Sequence, residues 1–311
     1  MYEGDVTKLS GEKALELAGV KPGELDVLDG SPPCQGFSTS GKRVFTDQRN
    51  ALWQHYVRMV ETFQPRAFVM ENVQGMVGGV MRKIYLQITR SLREAGYTVK
   101  GSILNCAHFG VAQSRKRVIV IGIRDDLKIE PSHPAPQTAP IRMDQVLPSL
   151  NGVLFDSGGK GSWGPREFAS SGPAPTLTRQ AGQFKAIIQH PEPPPLDDKY
   201  GKLYDQIPQG KNASHVLGVG HGTQGCRKPN PDKPSPTLVK MQVGNGYGTV
   251  VHPVIRRALT IEEALLLSGF PLDFKMTGSY VERWAILGNC VPPPLIKAVA
   301  EHVKLLLRSS A

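Results

Sequence analysis

No Cys-x-x-Cys pair occurs in this 311-residue sequence, whose four cysteines, at positions 34, 106, 226 and 290, stand far apart. That spacing fits neither a disulfide framework nor a zinc site, and it suits a reducing compartment with no bound metal. Also absent is any apolar run of the roughly 18 residues that a membrane span needs. Met1 to Ser10 has no basic start followed by an apolar stretch, so no export signal is read there. A soluble, unsecreted, cytoplasmic protein without a membrane partner is the expectation. Acidic residues are in deficit: lysine plus arginine number 37 against 27 for aspartate plus glutamate, a formal charge of +10. A polyanionic partner follows from that balance, with nucleic acid the first choice. Apolar residues make up 40% of the chain, enough to build cores. At roughly 150 residues per domain, the length predicts about two domains.

From Asp26 to Arg124 the pattern is that of an α/β domain. The apolar run Leu25-Asp-Val-Leu28 reads as a buried strand that stops at Asp29-Gly-Ser-Pro-Pro33. Leu52, Tyr56, Val57, Met59, Val60 and Phe63 share one helical face over 51–63, and Pro65 ends it before the strand Ala67-Phe-Val-Met70. A second amphipathic helix covers 80–95 and is closed by Gly96, followed by strands over 97–104 and 117–123. The dozen residues joining those strands lack a helical period, which suits an antiparallel return. Strand, helix, strand, helix, strand, strand is the second half of a doubly wound sheet. The first half is missing, because the residues before Asp26 are too few for a βαβ unit of roughly 30 or more.

Between Glu130 and Pro253 proline and glycine become frequent and no long helical period survives, so a second, loop-rich domain is expected. One phrase recurs in it: Pro173-Ala-Pro-Thr-Leu177 followed later by His190-Pro191, and Pro234-Ser-Pro-Thr-Leu238 followed by His252-Pro253. Two copies of a strand-and-loop unit, or coincidence in a proline-rich stretch, would explain it. Regular structure returns at 260–267, where Thr260 and Glu263 form a capping box. The last helix, 295–307, starts after Pro294 and carries Ile296, Val299, Val303 and Leu306 on a face that the first domain should cover.

Loops at the carboxyl ends of parallel strands are where such folds hold their sites. There stands Ser31-Pro-Pro-Cys34-Gln35-Gly-Phe-Ser38. A free cysteine is commonly a small core hydrophobe, but the flanking prolines, glycine and polar residues argue against burial of Cys34 and for a nucleophile. The next strand ends in Glu71-Asn72-Val73-Gln74-Gly75, placing a carboxylate at the neighbouring lip. Gln113-Ser-Arg115-Lys-Arg117 follows, and alternation aims its two arginines to one side. Taken singly, each is more commonly a solvated charge. Together they make a reaction. A thiolate adding to C6 of a pyrimidine needs a proton on N3 and a cation near the ring oxygen, which activates C5 as a carbon nucleophile.

These motifs, in this order, resemble the DNA (cytosine-5) methyltransferase family across nearly the whole chain. Pro33-Cys34-Gln35 resembles the family's nucleophile loop, Glu71-Asn72-Val73 its acid-bearing strand end, and Gln113 to Arg117 its paired-arginine motif. Arg257-Ala-Leu-Thr260 through Gly269-Phe-Pro271 resembles the segment that closes the recognition domain. Gly288-Asn289-Cys-Val291-Pro-Pro293 resembles the motif that returns to the cofactor.

The resemblance implies that Cys34 attacks C6, Glu71 protonates N3, Arg117 holds O2 and Arg115 supports the same pocket. It implies S-adenosylmethionine as cofactor, with Asp5, Val6, Pro33, Leu52, Asn289 and Val291 lining its site. Gln35, Ser38, Asn72 and Gln113 would lie on the substrate side, and double-stranded DNA would be the partner, in the nucleoid if the source is prokaryotic. The implied division is a catalytic domain over 1–130, a target recognition domain over 131–255 and a return to the catalytic domain over 256–311. The implied fold is a partial doubly wound sheet of the class I methyltransferase kind, missing its first strands, plus the loop-rich domain.

One departure stands out: the family's glycine-rich Phe-x-Gly-x-Gly opening and the acid ending its second strand are absent. Gly218-Val-Gly-His-Gly222, with no strand before it, does not replace them. A complementing amino-terminal polypeptide is therefore expected to be needed for activity. The alternatives are a non-catalytic DNA-binding or regulatory remnant and an RNA cytosine-5 methyltransferase. An amino methyltransferase is disfavoured, since methylating an exocyclic amine needs no thiol at position 34.

Overall fold

In the computed structural model, residues 4–33, 52–79, 81–147, 196, 198–218, 226–240, 250–271 and 273–308 are described. The chain divides into two compact units: Met1–Asn105 with Lys116–Ala135 and Lys297–Ala311, and Cys106–Arg115 with Pro136–Ile296.

The first unit is built on a four-stranded sheet. Its elements are α1 (Gly11–Ala18), β1 (Val27–Gly30), α2 (Leu52–Phe63), β2 (Ala67–Val73), α3 (Met81–Glu94) and β3 (Tyr97–Asn105). After the two-residue β4 (Gln113–Ser114), which belongs to the second unit, comes β5 (Lys116–Arg124). Helix α1 starts at Ser10, whose hydroxyl accepts from the Lys13 amide at 3.1 Å, and ends where Gly19 takes a left-handed conformation. The sheet order is β1-β2-β5-β3, with β1 parallel to β2 and β5 antiparallel to both β2 and β3. The expected antiparallel return is thus present.

Strands β2 and β5 are central and buried nearly throughout, which is why Ala67-Phe-Val-Met70 and Val118-Ile-Val-Ile121 read as unbroken apolar runs. Tyr56, Val57 and Val60 of α2 and Ile88 and Leu92 of α3 pack into the same core. At Gly122 of β5 a side chain would fall on the ring of Phe68, so that position has room for hydrogen alone.

Strand β1 departs from expectation. It begins at Val27 and extends through Gly30, and its residues alternate between exposed and half-buried. Among the described residues β1 pairs only with β2, and its exposed and half-buried residues are not those of the buried strand read from sequence.

The second unit gathers α4 (Met143–Val146), α5 (Asp198–Leu203), α6 (Ser214–Leu217), β6 (Ser235–Pro236), α7 (Ile261–Leu267), α8 (Tyr280–Asn289) and the first turn of α9 (Pro293–Arg308). Met143, Leu238, Leu259, Leu265, Trp284 and Leu287 share one core, and Tyr204, Ile207, Cys226 and Val251 form another. The Thr260–Glu263 capping box is made in both directions, 3.1 Å and 2.9 Å. The paired prolines 293 and 294 lie inside the first turn of α9, where an amide hydrogen is not needed, rather than ahead of it. Contact boundaries therefore differ from the sequence-based ones. Residues 106–115 leave the first unit, and 256–296 share the core of the second; only from Lys297 does the chain rejoin the first. His190-Pro191, Pro173 to Leu177 and Val219 to Gly222 lie outside the described residues.

Candidate active site

Strands β1 and β2 run parallel and end side by side, with Gly30 in register with Met70, so Glu71 and Asn72 stand just beyond the end of β1. Gly30 lies against the ring of Tyr56, where any side chain would collide. Tyr56 is itself fixed, donating its hydroxyl to the Val69 carbonyl at 3.0 Å. The chain is thereby delivered to Ser31-Pro32-Pro33 along one path. Asn72 secures it: its side-chain nitrogen donates to the Pro32 carbonyl at 3.0 Å, while its oxygen accepts from the Val73 amide at 2.9 Å. Cys34, Gln35 and Ser38 lie outside the described residues.

Across the β2–β5 pairing, Arg117 opposes Val73 and sends its guanidinium to Glu71, with Nε 2.8 Å from Oε1. Arg117 Nη1 also donates to the Lys116 carbonyl at 2.9 Å. Burial of both side chains makes this a high-stakes pair, since breaking either half strands a charge.

Arg115 and Arg117 are both buried and Lys116 is exposed, as alternation predicts. Their partners differ, however. Arg115 belongs to the second unit, where Nη1 donates to the Leu238 carbonyl and Nη2 to the Gly288 carbonyl, each at 2.8 Å. Gln113, also buried in that unit, takes the Leu238 amide on Oε1 at 3.1 Å and donates from Nε2 to Ser268 at 3.2 Å. The structure brings Glu71, Asn72 and Arg117 together and gives Arg115 and Gln113 other surroundings.

Of the residues expected to line the cofactor, Asp5 and Val6 form an exposed turn. Asp5 Oδ1 accepts from the Thr7 amide at 2.9 Å, which holds its carboxyl below the usual carboxylate range. Arg58 of α2 locks the turn by donating to the Val6 and Leu9 carbonyls at 3.0 and 2.7 Å. An exposed carboxylate beside an exposed apolar side chain suits an adenine ring, with its exocyclic amine and apolar faces. Pro33 is exposed and Leu52 half-buried in the same unit; Asn289 is exposed and Val291 half-buried in the second. Arg58, Tyr56 and Gly30 were not legible as site residues, because each acts through a partner distant in sequence.

A parallel strand end carrying a buried acid–arginine pair, on a sheet whose last strand is inserted antiparallel between two earlier ones, is the frame of a class I-like methyltransferase. The model of the C-5 cytosine-specific DNA methylase family matches residues 1–305, and the chain belongs to that family. It is 32% identical over 309 residues to the type II methyltransferase M1.HphI of Haemophilus parahaemolyticus, covering 97% of this chain and 74% of that one. It is 26% identical over 322 residues to M.XorII of Xanthomonas oryzae pv. oryzae, covering 97% and 73%. Among solved structures, one described as a prophage-encoded DNA modification methyltransferase (E. coli) superposes with a TM-score of 0.68 at 21% identity, covering 98% of this chain and 85% of that one. DNMT2 of Spodoptera frugiperda does so at 0.57 and 15%, with the same coverage. The protein is thus a DNA cytosine-5 methyltransferase by family, and its family uses S-adenosylmethionine.

Proposed function

We propose that this chain methylates C5 of cytosine in duplex DNA through a covalent adduct on Cys34. The observation that carries the reading is the buried Glu71–Arg117 pair beside Asn72, whose side chain holds the carbonyl two residues before the cysteine. In this scheme the Cys34 thiolate forms a bond to C6 while Glu71 delivers a proton to N3, leaving C5 electron-rich. Arg117 steadies the acid through Nε and faces the ring oxygen with the rest of its fork. After C5 is methylated, its proton leaves to base, the electron pair of that bond restores the C5–C6 double bond, and the thiolate is expelled. Asp5 and Val6 would meet the adenine of S-adenosylmethionine, and Pro33, Leu52, Asn289 and Val291 are the other positions expected to line the cofactor. That cofactor supplies an electrophilic methyl group. Residues 131–255 would read the target, and the type II relatives suggest a place in restriction and modification.

A further part of the reading is that activity depends on a segment carrying the glycine-rich motif this sequence lacks, docked along the outer edge of β1. Support comes from the edge itself, which has no partner among the described residues, and from Val27, which is exposed there. The test is transfer of tritiated methyl to duplex DNA, with and without an added segment bearing that motif. Activity that needs the segment and disappears in Cys34→Ser is expected; near wild-type rates for Cys34→Ser would sink the covalent scheme.

A further inference from the structure

We propose that Arg115 is a positioning residue that makes the Leu238–Lys240 segment and the end of α8 respond as one, so that DNA held by the recognition unit is felt at Asn289 and Val291. The proposal rests on the function above for the roles of those two places. Every contact it uses lies within the second unit.

The Pro234 to Leu238 phrase is seated on 112–115 almost as an added strand. Ser235 donates its amide to the Ala112 carbonyl at 2.8 Å, Thr237 its hydroxyl to the Ser114 carbonyl at 2.8 Å, and β6 pairs parallel with β4. The Gln113 and Arg115 side chains then take the Leu238 amide and carbonyl, 3.1 and 2.8 Å away. Both backbone groups of Leu238 are satisfied by side chains, with no neighbouring strand required.

Three devices bind the next residues to α8. The second arm of Arg115 takes the Gly288 carbonyl at 2.8 Å. Trp284 of α8 donates Nε1 to the Val239 carbonyl at 3.0 Å. Gly288 lies so close to Val239 and Lys240 that a methyl group there would fall on their backbone. Asn289, the last residue of α8, is next in sequence.

Arg115 is 1% exposed. A buried cation is costly to keep when packing alone is needed, and an apolar side chain of similar volume would fill the space more cheaply. What an apolar side chain cannot do is hold two carbonyls from two segments in fixed register, which the planar fork does. A displacement of Leu238 is then passed to Gly288 through one rigid group. Such a link is a coupling free energy and must act in both directions.

The test is amide hydrogen exchange on the full chain with and without saturating sheared double-stranded DNA of mixed sequence. In the wild type, DNA should slow exchange at least fivefold both in 235–240 and in 287–291. In Arg115→Met the slowing at 235–240 should remain and that at 287–291 should disappear, with Arg115→Lys restoring part of it. Trp284→Phe, which keeps an aromatic side chain but removes the indole N–H and some core volume, should weaken the link without unfolding the unit, as a thermal melt would verify. A merely structural role would instead raise exchange across the whole unit in both conditions. Slowing at 287–291 that survives in full in Arg115→Met, or slowing confined to 235–240 in the wild type, would overturn the proposal. No slowing at 235–240 overturns it too, and the methyl-transfer assay reports separately on the function.

Discussion

Arg117 sets its Nε 2.8 Å from Oε1 of Glu71, with only 10% and 12% of the two side chains reaching solvent. Arg117→Met should therefore cost about 3–5 kcal/mol in urea unfolding, because it leaves a buried carboxylate without its counter-charge. The double variant Glu71→Gln with Arg117→Met should recover much of that loss while methyl transfer stays abolished. Equal stability of the single and double variants would contradict the pair's coupling.

Asn72 ties the end of β2 to the Pro32 carbonyl, and its loss should separate rate from binding. Asn72→Ala should cost only about 1 kcal/mol of stability. On the proposed covalent scheme, single-turnover methyl transfer should fall by roughly 10- to 100-fold, since the Pro32 carbonyl two residues before Cys34 loses its anchor. DNA affinity, followed by fluorescence anisotropy, should change little.

Gly30 and Tyr56 occupy each other's space. Gly30→Ala should destabilise the first unit by about 1–3 kcal/mol through overpacking. Tyr56→Leu should also destabilise it, by removing both ring volume and the bond to Val69. The two together should cost less than the sum of their separate effects, since each relieves the other's fault. Strict additivity in thermal melts would show that the collision is relaxed elsewhere.

His252 is fully buried, and its Nδ1 accepts from the amides of Val254 and Ile255 at 3.2 and 2.8 Å. The proton of the neutral ring therefore sits on Nε2, 3.6 Å from Glu263. Burial, reinforced by Arg257 and opposed by Glu263, holds its pKa down to about 4. The unfolded state binds the proton near pH 6.5, so between that value and about 4 the unfolded state carries more protons and stability falls as pH falls. The contribution is whole above pH 6.5 and gone by about 4, a loss of roughly 3 kcal/mol. His252→Asn, which keeps an acceptor where Nδ1 lies, should flatten the slope of unfolding free energy over that window. An unchanged slope would place the titration elsewhere.

Local signals were the ones the sequence made plain. The Thr260–Glu263 capping box, the helix stop at Gly96 and the apolar runs of β2 and β5 each depend on a few adjacent residues, and each is present. The exposure of β1 was not readable, since the apolar texture of Leu25 to Leu28 is what a strand buried on both faces also shows. Glu71 and Arg117 could be nominated by type and order, yet the partners of Arg115 could not. Leu238 and Gly288 offer backbone carbonyls, which every residue carries. The excursion of 106–115 into the second unit was hidden for a related reason: it is decided by the buried contacts of Ala112 with the Leu238 and Leu259 core, not by a break in composition.

Helix α9 begins in one unit and continues into the other, where Arg66 bonds the Leu307 carbonyl at 3.2 Å and Ser132 meets His302 at 2.8 Å. During synthesis β5 leaves the ribosome about 170 residues ahead of Lys297, a wait of roughly ten to thirty seconds at ordinary elongation rates. For that interval the nascent first unit lacks the buried Val299, Val303 and Leu307 that belong to it. The unit that carries Glu71 and Arg117 thus waits for part of its own helix α9 while the second unit is being made, and its yield in the cell should depend on what shelters it in between.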